Sequence, residues 1–183
     1  MPTRDEAQCN QPVHGILPVG RSDFSEFAYL PASNTQRGVL VAGCRTDVYI
    51  SDVLVGCYSV TVAVQAAMVA DAGENNWWLS SVYGPLEDGD KTLFLEDLEA
   101  IRFRDACPGP WALSGDFNLI LNEVDKNNNR IDRVNLPRFS VVRTVTGLGL
   151  QDMHLVHGRS FTWSNERDTP TLVRLDSVLI SVD

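Results

Sequence analysis

Trp111-Ala-Leu-Ser-Gly-Asp-Phe-Asn-Leu-Ile-Leu-Asn-Glu-Val-Asp-Lys-Asn-Asn-Asn129 is the stretch on which the reading of this chain turns. An apolar run from Trp111 to Leu113, too short for a helix and apolar enough for a central strand, ends in Ser114-Gly115-Asp116-Phe117-Asn118. A second apolar run, Leu119 to Leu121, follows, and then an asparagine-rich polar loop. Side chains alternate across a strand, so Asp116 and Asn118 are expected on one side and Phe117 on the other. Active sites collect at strand ends, where loops present side chains from a rigid base. Gly115 permits close approach of another group. A carboxylate and a carboxamide converging there can hold a water, a divalent cation or a phosphate oxygen. A turn in which Asp116 and Asn118 bond their own backbone is the competing reading, and this stretch alone does not choose between them.

Working outward, Gly38-Val-Leu-Val-Ala, Val48 to Val55 and Ser59 to Val64 read as strands, the last two parted by Gly56. Asp71-Ala-Gly-Glu-Asn-Asn is a turn cluster, and Asn76 to Tyr83 is a further strand closed by Gly84-Pro85. A helix should follow, capped by Asp88 or Asp90. Phe94, Leu98 and Ile101 share one of its faces, and Pro108-Gly109-Pro110 ends it. Asn135 to Val145 looks helical, with Pro137 in its first turn. Leu150 to Met153, Ser160 to Trp163 and Leu172 to Ile180 read as three more strands, while residues 1–27 form an irregular lead-in. Many strands with two intervening helices predict an α+β fold: two packed mixed β-sheets flanked by helices, a four-layer α/β/β/α sandwich built from residues 28–183.

Composition bounds the function. The 183 residues suffice for one core, and no apolar run is long enough to span a membrane. No segment has the pattern of a secretory leader, so an intracellular protein is expected. Cys9, Cys44, Cys57 and Cys107 fall in no C-x-x-C pair and are expected as buried free thiols. The net charge of −9 does not steer the chain onto nucleic acid. Lys126, Arg130, Arg133, Arg138 and Arg143, against Asp132 alone, nevertheless make a local basic segment. Such a segment suits a phosphodiester substrate or simply a solvated face.

Three further motifs join Gly115-Asp116-Phe117-Asn118 in order along the chain. Ser80-Ser-Val-Tyr83-Gly84-Pro85 ends a strand in a tyrosine, Gly158-Arg-Ser-Phe-Thr-Trp-Ser-Asn165 follows, and Arg174-Leu-Asp176-Ser-Val-Leu-Ile-Ser181 sets an arginine and an aspartate two apart on one strand. With Leu30-Pro-Ala-Ser-Asn-Thr-Gln-Arg37-Gly-Val-Leu-Val-Ala, this set resembles the endonuclease/exonuclease/phosphatase superfamily. The resemblance is closest to the endonuclease domain of plant non-LTR (LINE-type) retrotransposons. It implies Mg²⁺-dependent hydrolysis of phosphodiesters, DNA as partner and an intracellular, nuclear setting. By the same resemblance, Asp116 positions or deprotonates the attacking water and touches the metal, and Asn118 contacts the scissile phosphate. Tyr83 stands near the leaving group, Asp176 orients a catalytic histidine, and Arg130 and Arg174 bind substrate.

Two family motifs have no counterpart here. The family opens with a strand bearing an asparagine and then a glutamate in a Gln-Glu-Thr context, the main metal ligand; Glu6 and Glu26 lack those surroundings. The family closes in Ser-Asp-His, whereas this sequence reads Ser181-Val-Asp183, leaving Asp176 no histidine to orient. His154 and His157 read as loop residues. The expectation is a partial endonuclease domain lacking the family's first and last strands and inactive alone. Two alternatives stand beside it: an active nuclease with ligands from Glu26, Asp152 or Asp183, and a non-catalytic remnant that binds nucleic acid or protein through Lys126 to Arg143.

Overall fold

The computed structural model of the protein describes residues 13–16, 26–32, 38–44, 46–67, 76–103, 107–127, 143–153, 160–165 and 167–182. Chain order runs β1 (Val13–Ile16), β2 (Glu26–Leu30), β3 (Val39–Gly43), β4 (Val48–Val55), β5 (Ser59–Ala66), β6 (Trp77–Tyr83) and α1 (Asp88–Phe103). It continues through β7 (Trp111–Asp116), β8 (Leu150–Asp152), β9 (Trp163–Ser164), β10 (Leu172–Val173) and β11 (Asp176–Ser181). Six strands form a mixed sheet in the order β4-β5-β6-β7-β11-β8. The β6–β7 pair is parallel, and its neighbours pair antiparallel. The α1 crossover between β6 and β7 supplies the long connection that a parallel pair needs. A second sheet, β1-β2-β3, is antiparallel throughout.

The burial pattern shows why these residues take these places. Val39 to Gly43 alternate buried and exposed, as expected for a strand with one face on a core. Ser59 to Val64 are buried without interruption, because β5 is covered on both faces. Val60, Val62 and Val64 meet Ala28, Leu30, Val39, Val41 and Ile50 between the two sheets. On the opposite face of the larger sheet, Phe94, Leu95, Leu98 and Ile101 of α1 pack with Trp78, Val82, Trp111, Leu113, Phe117 and Leu179. The architecture is therefore mixed sheet on sheet with a helix outside, as the sequence predicts. Among the described residues one long helix covers one outer face. No helix among them is long and apolar enough to cross a membrane.

Buried polar groups in this core are paired. Trp111 Nε1 donates to Ser80 Oγ at 2.8 Å, and Ser80 and Thr61 share a hydroxyl hydrogen bond of 2.6 Å. Across the sheets, Glu26 Oε2 accepts the Ile50 N–H at 2.8 Å, tying β2 to β4. At the end of α1, Arg102 donates to the carbonyls of Cys107 and Gly109, which anchors the turn into β7.

The structure departs from the sequence reading in several places. Val13–Ile16, within the stretch expected to be irregular, forms a strand against β2, and β2 itself begins at Glu26. So short a strand carries no readable period, and its partner supplies the order. The strand expected over Ser160 to Trp163 is only Trp163–Ser164. The strand expected over Leu172 to Ile180 breaks at 174–175, because the N–H groups there bond outside any ladder: Arg174 N–H to the Asp125 carbonyl, and Leu175 and Asp176 N–H to Thr162 Oγ1. Of the helix expected over Asn135 to Val145, only 143–145 are described; the helical segment there runs over 143–147. Cys107 is buried as expected, Cys44 is half-buried, and Cys57, in the β4–β5 turn, is exposed. Cys9 lies outside the described residues.

Burial pushes the Cys107 thiol up to about 11, against a smaller opposing pull from the Arg102 charge. The thiolate is the reactive form, so Cys107 stays inert at neutral pH. Titration with a disulfide reagent at pH 8 is expected to label Cys57 at once and Cys107 only on unfolding. Phe94→Ala should cost about 3–5 kcal/mol in urea denaturation. Leu93→Ala, half-exposed on the same helix, should cost under about 1 kcal/mol.

Candidate phosphate site

The ends of β6, β7 and β11 lie side by side. The parallel register pairs Tyr83 with Asp116, and the antiparallel register pairs Asp116 with Asp176. Strands sit about 4.8 Å apart, and in-register neighbours share a face. Trp111 and Leu113 point toward α1, so the alternate positions Ala112, Ser114 and Asp116 face the other way, as do Leu79, Ser81 and Tyr83 on β6. Tyr83, Asp116 and Asp176 thus stand in a row at one end of the large sheet, on the side of the second sheet. Tyr83 is half-buried against the apolar layer between the sheets, and Asp176 is exposed.

Asn118 completes the group by a different route. The chain leaves β7 at Asp116, and Asn118 adopts a left-handed φ of +50°. Asparagine tolerates this conformation better than most residues. Its N–H donates to Asp116 Oδ1 at 2.8 Å, and its Nδ2 donates to the Gly84 carbonyl at 2.7 Å. Asp116 therefore makes the self-bonded turn that competed with the functional reading. Asn118 instead reaches across to the residue after Tyr83. The amide has a second N–H on Nδ2 and an acceptor oxygen with which to meet a ligand.

Two glycines make this approach possible. The Gly84 N–H donates to the Asp116 carbonyl at 2.7 Å, and a Cβ on Gly84 would lie 2.1 Å from the Phe117 carbonyl oxygen. Gly115 has φ +143°, and a Cβ there would lie 2.1 Å from the Val82 carbonyl oxygen. Neither position admits a side chain without moving backbone.

Arg174 does not stand free to meet substrate. Its Nε donates to Asp125 Oδ1 at 2.8 Å, and its Nη1 donates to Asp152 Oδ1 at 3.2 Å. Its Nη2 bonds Asp152 Oδ2, closing a two-armed pair. Asp125 is 3% exposed, and its second oxygen accepts the Asn122 N–H at 2.7 Å. The hydrogen-bonded Asp152 carboxylate raises the Arg174 pKa most; burial pulls it down, and Asp125 adds to the rise. The sequence reading missed Asp125. Its spacing from Asp116 carried no motif, and only the fold brings it to Arg174.

The alternative metal ligands fare no better. Asp152 is engaged by Arg174. Glu26 bonds Ile50, which is level with Val64 and so with Trp77, six residues along β6 from Tyr83. At about 3.3 Å per residue that is roughly 20 Å away, at the opposite end of the sheet. Glu6, Arg130, His154, His157 and Asp183 lie outside the described residues. Among the described residues, no group of three His, Cys, Asp or Glu side chains is placed to hold a metal ion. Asp116 and Asp176 offer two carboxylates, which by themselves do not fit Mg²⁺.

No family model matches the sequence. No curated protein matches it either. Solved structures do match the fold. The endonuclease domain of TRAS1, a telomere-specific non-LTR retrotransposon, aligns with a TM-score of 0.62 at 14% identity, over 86% of this chain and 68% of that one. The 3′ phosphatase NExo from Neisseria, bound to a product DNA hairpin, gives 0.59 at 18% identity, over 85% and 67%. ANGEL2, a 2′,3′-cyclic phosphatase in complex with adenosine-2′,3′-vanadate, gives 0.55 at 10% identity, over 87% and 63%. The chain thus spans about two thirds of the length of each. It has the endonuclease/exonuclease/phosphatase fold.

Gly115→Ala combines a backbone conformation hostile to side chains with a backbone clash, so it should cost at least about 2 kcal/mol in chemical denaturation. Gly89→Ala, in open space on α1, should be neutral or stabilising.

Proposed function

We propose that this chain carries part of the site of a Mg²⁺-dependent phosphodiesterase of the LINE-type retroelement endonuclease class found in plants, and that these residues alone do not cleave. The observation that carries the reading is the in-register row of Tyr83, Asp116 and Asp176, with Asn118 tied to the residue beside Tyr83. The order of the motifs in the sequence and the shared fold of the TRAS1 endonuclease domain support the same class. In this reading DNA is the partner. Asp116 orients the attacking water, and the second N–H of the Asn118 amide meets a phosphate oxygen. The Tyr83 hydroxyl stands beside the leaving oxygen.

The inactivity follows from magnitudes. Enzymes lower such barriers by about 8–23 kcal/mol, and metal ions with positioned donors supply much of that. The described residues offer two carboxylates at the site, with Arg174 and Asp152 paired to each other and Glu26 at the far end of the sheet. Groups that act as a unit fail together. Cleavage therefore needs ligands from outside the described residues, and Asp176 has no described histidine to orient.

Nicking of supercoiled plasmid with Mg²⁺ tests the second half of the proposal: the chain should not exceed its Asp116→Ala variant. Mg²⁺-dependent nicking that Asp116→Ala abolishes would show the site to be complete. Binding tests the first half. Tyr83→Phe keeps the packing and removes one hydroxyl, and should weaken binding of a short DNA in Mg²⁺ about fivefold, the worth of one hydrogen bond. Unchanged affinity would remove Tyr83 from the site.

A further inference from the structure

Arg174 sits two residues before Asp176, yet its side chain turns away from the row of site residues to bind Asp125 and Asp152. Its backbone is held as well, since the Arg174 N–H donates to the Asp125 carbonyl at 2.8 Å. Side chain and backbone thus clamp Arg174 to one residue of the turn Glu123–Asp125, and the guanidinium adds β8. The clamp lies in the break between β10 and β11, beside an isolated antiparallel bridge between Lys126 and Val173. From there the chain reaches Asp176 through Leu175. The Leu175 carbonyl accepts the Phe117 N–H at 2.9 Å, and Thr162 Oγ1 caps the N–H groups of both Leu175 and Asp176.

We propose that Arg174 is a positioning residue that fixes where Asp176 enters β11 beside Asp116, and that it does not contact substrate. Its significance for phosphate chemistry rests on the reading of the Tyr83–Asp116–Asp176 row as the site. The placement itself does not, and can be measured without any DNA. An ion pair on so short a connection transmits its geometry: one rigid end is the buried Asp125, the other the first residue of β11. Arginine suits the role because its planar fork holds direction as well as charge, which a lysine ammonium does not.

A thiol ruler tests this in the full chain, with the four native cysteines replaced by alanine. Asp116→Cys with Asp176→Cys places two thiols at the in-register pair beside the clamp. Ala112→Cys with Ile180→Cys places two at the in-register pair on the same face, at the far end of the same strands. The effective concentration of each pair is read against glutathione. Arg174→Ala should lower that of the 116/176 pair at least tenfold and that of the 112/180 pair less than twofold. Arg174→Lys should recover part of the loss. If Arg174→Ala does not fold, Asp152→Asn, which leaves the Asp125 pair in place, should still lower the 116/176 value selectively, by about threefold. Equal losses at both pairs would make the clamp general support for the fold and overturn the proposal. No loss at either pair would overturn it too. Failure of the plasmid and DNA-binding tests would leave the ruler's result standing, so the two readings fail separately.

Discussion

The close approach of β6 and β7 at their C-terminal ends is the constraint on which the rest of the structure depends. Two parallel strands converge there until Gly115 lies against the Val82 carbonyl and Gly84 against that of Phe117. Backbone fills the space a side chain would need, so the register cannot slip without steric conflict. A slip by one residue would also turn Trp111 and Leu113 away from α1. The core on one face and the polar row on the other are thereby fixed by the same pairing. Asn118 then bolts the loop after β7 to the loop after β6 through the Gly84 carbonyl.

That pairing is stiffened from within. Trp111 opens β7 with its ring in the core and its indole N–H on Ser80, which in turn meets Thr61 on β5. A buried polar chain satisfied at each step specifies one alignment of β5, β6 and β7, where an apolar core alone would tolerate several. On the other flank β11 pairs with β7 and carries Asp176 opposite Asp116. Its entry is held by Arg174, Asp125 and Asp152. Removing Arg174 from this part-buried cluster leaves the buried Asp125 carboxylate without its compensating charge. The acids and the arginine are thus divided by the fold: Asp116 and Asp176 stand in the row, while Asp125, Asp152 and Arg174 hold it in place.

The sandwich also fixes where the row stands. The side chains of the row stand on strands whose opposite face is buried against α1, so packing holds these positions in place. Phe117 is an example, since it packs on Phe94 while its neighbours Asp116 and Asn118 point elsewhere. What the described residues lack is a third metal-binding group, and no rearrangement along one strand supplies it. Glu26 is separated from the row by most of the length of the sheet.

Through a family resemblance the sequence offered Tyr83, Asp116, Asn118 and Asp176 as candidate site residues; by itself it determined the strands with strong alternation or continuous burial and the helix with its Phe94, Leu98 and Ile101 face. These are local facts: period, length and turn chemistry are written in neighbouring residues. It did not determine β1, the break at 174–175, or the exposed position of Cys57, because each depends on which distant group completes a hydrogen bond or leaves a turn uncovered. The tertiary structure alone decided that Arg174 belongs to Asp125 and Asp152, 49 and 22 residues away in the chain. It alone decided that Glu26 and Tyr83 stand at opposite ends of one sandwich. Charge and residue type identify what a side chain can bind, but register and strand order determine which partner lies within reach.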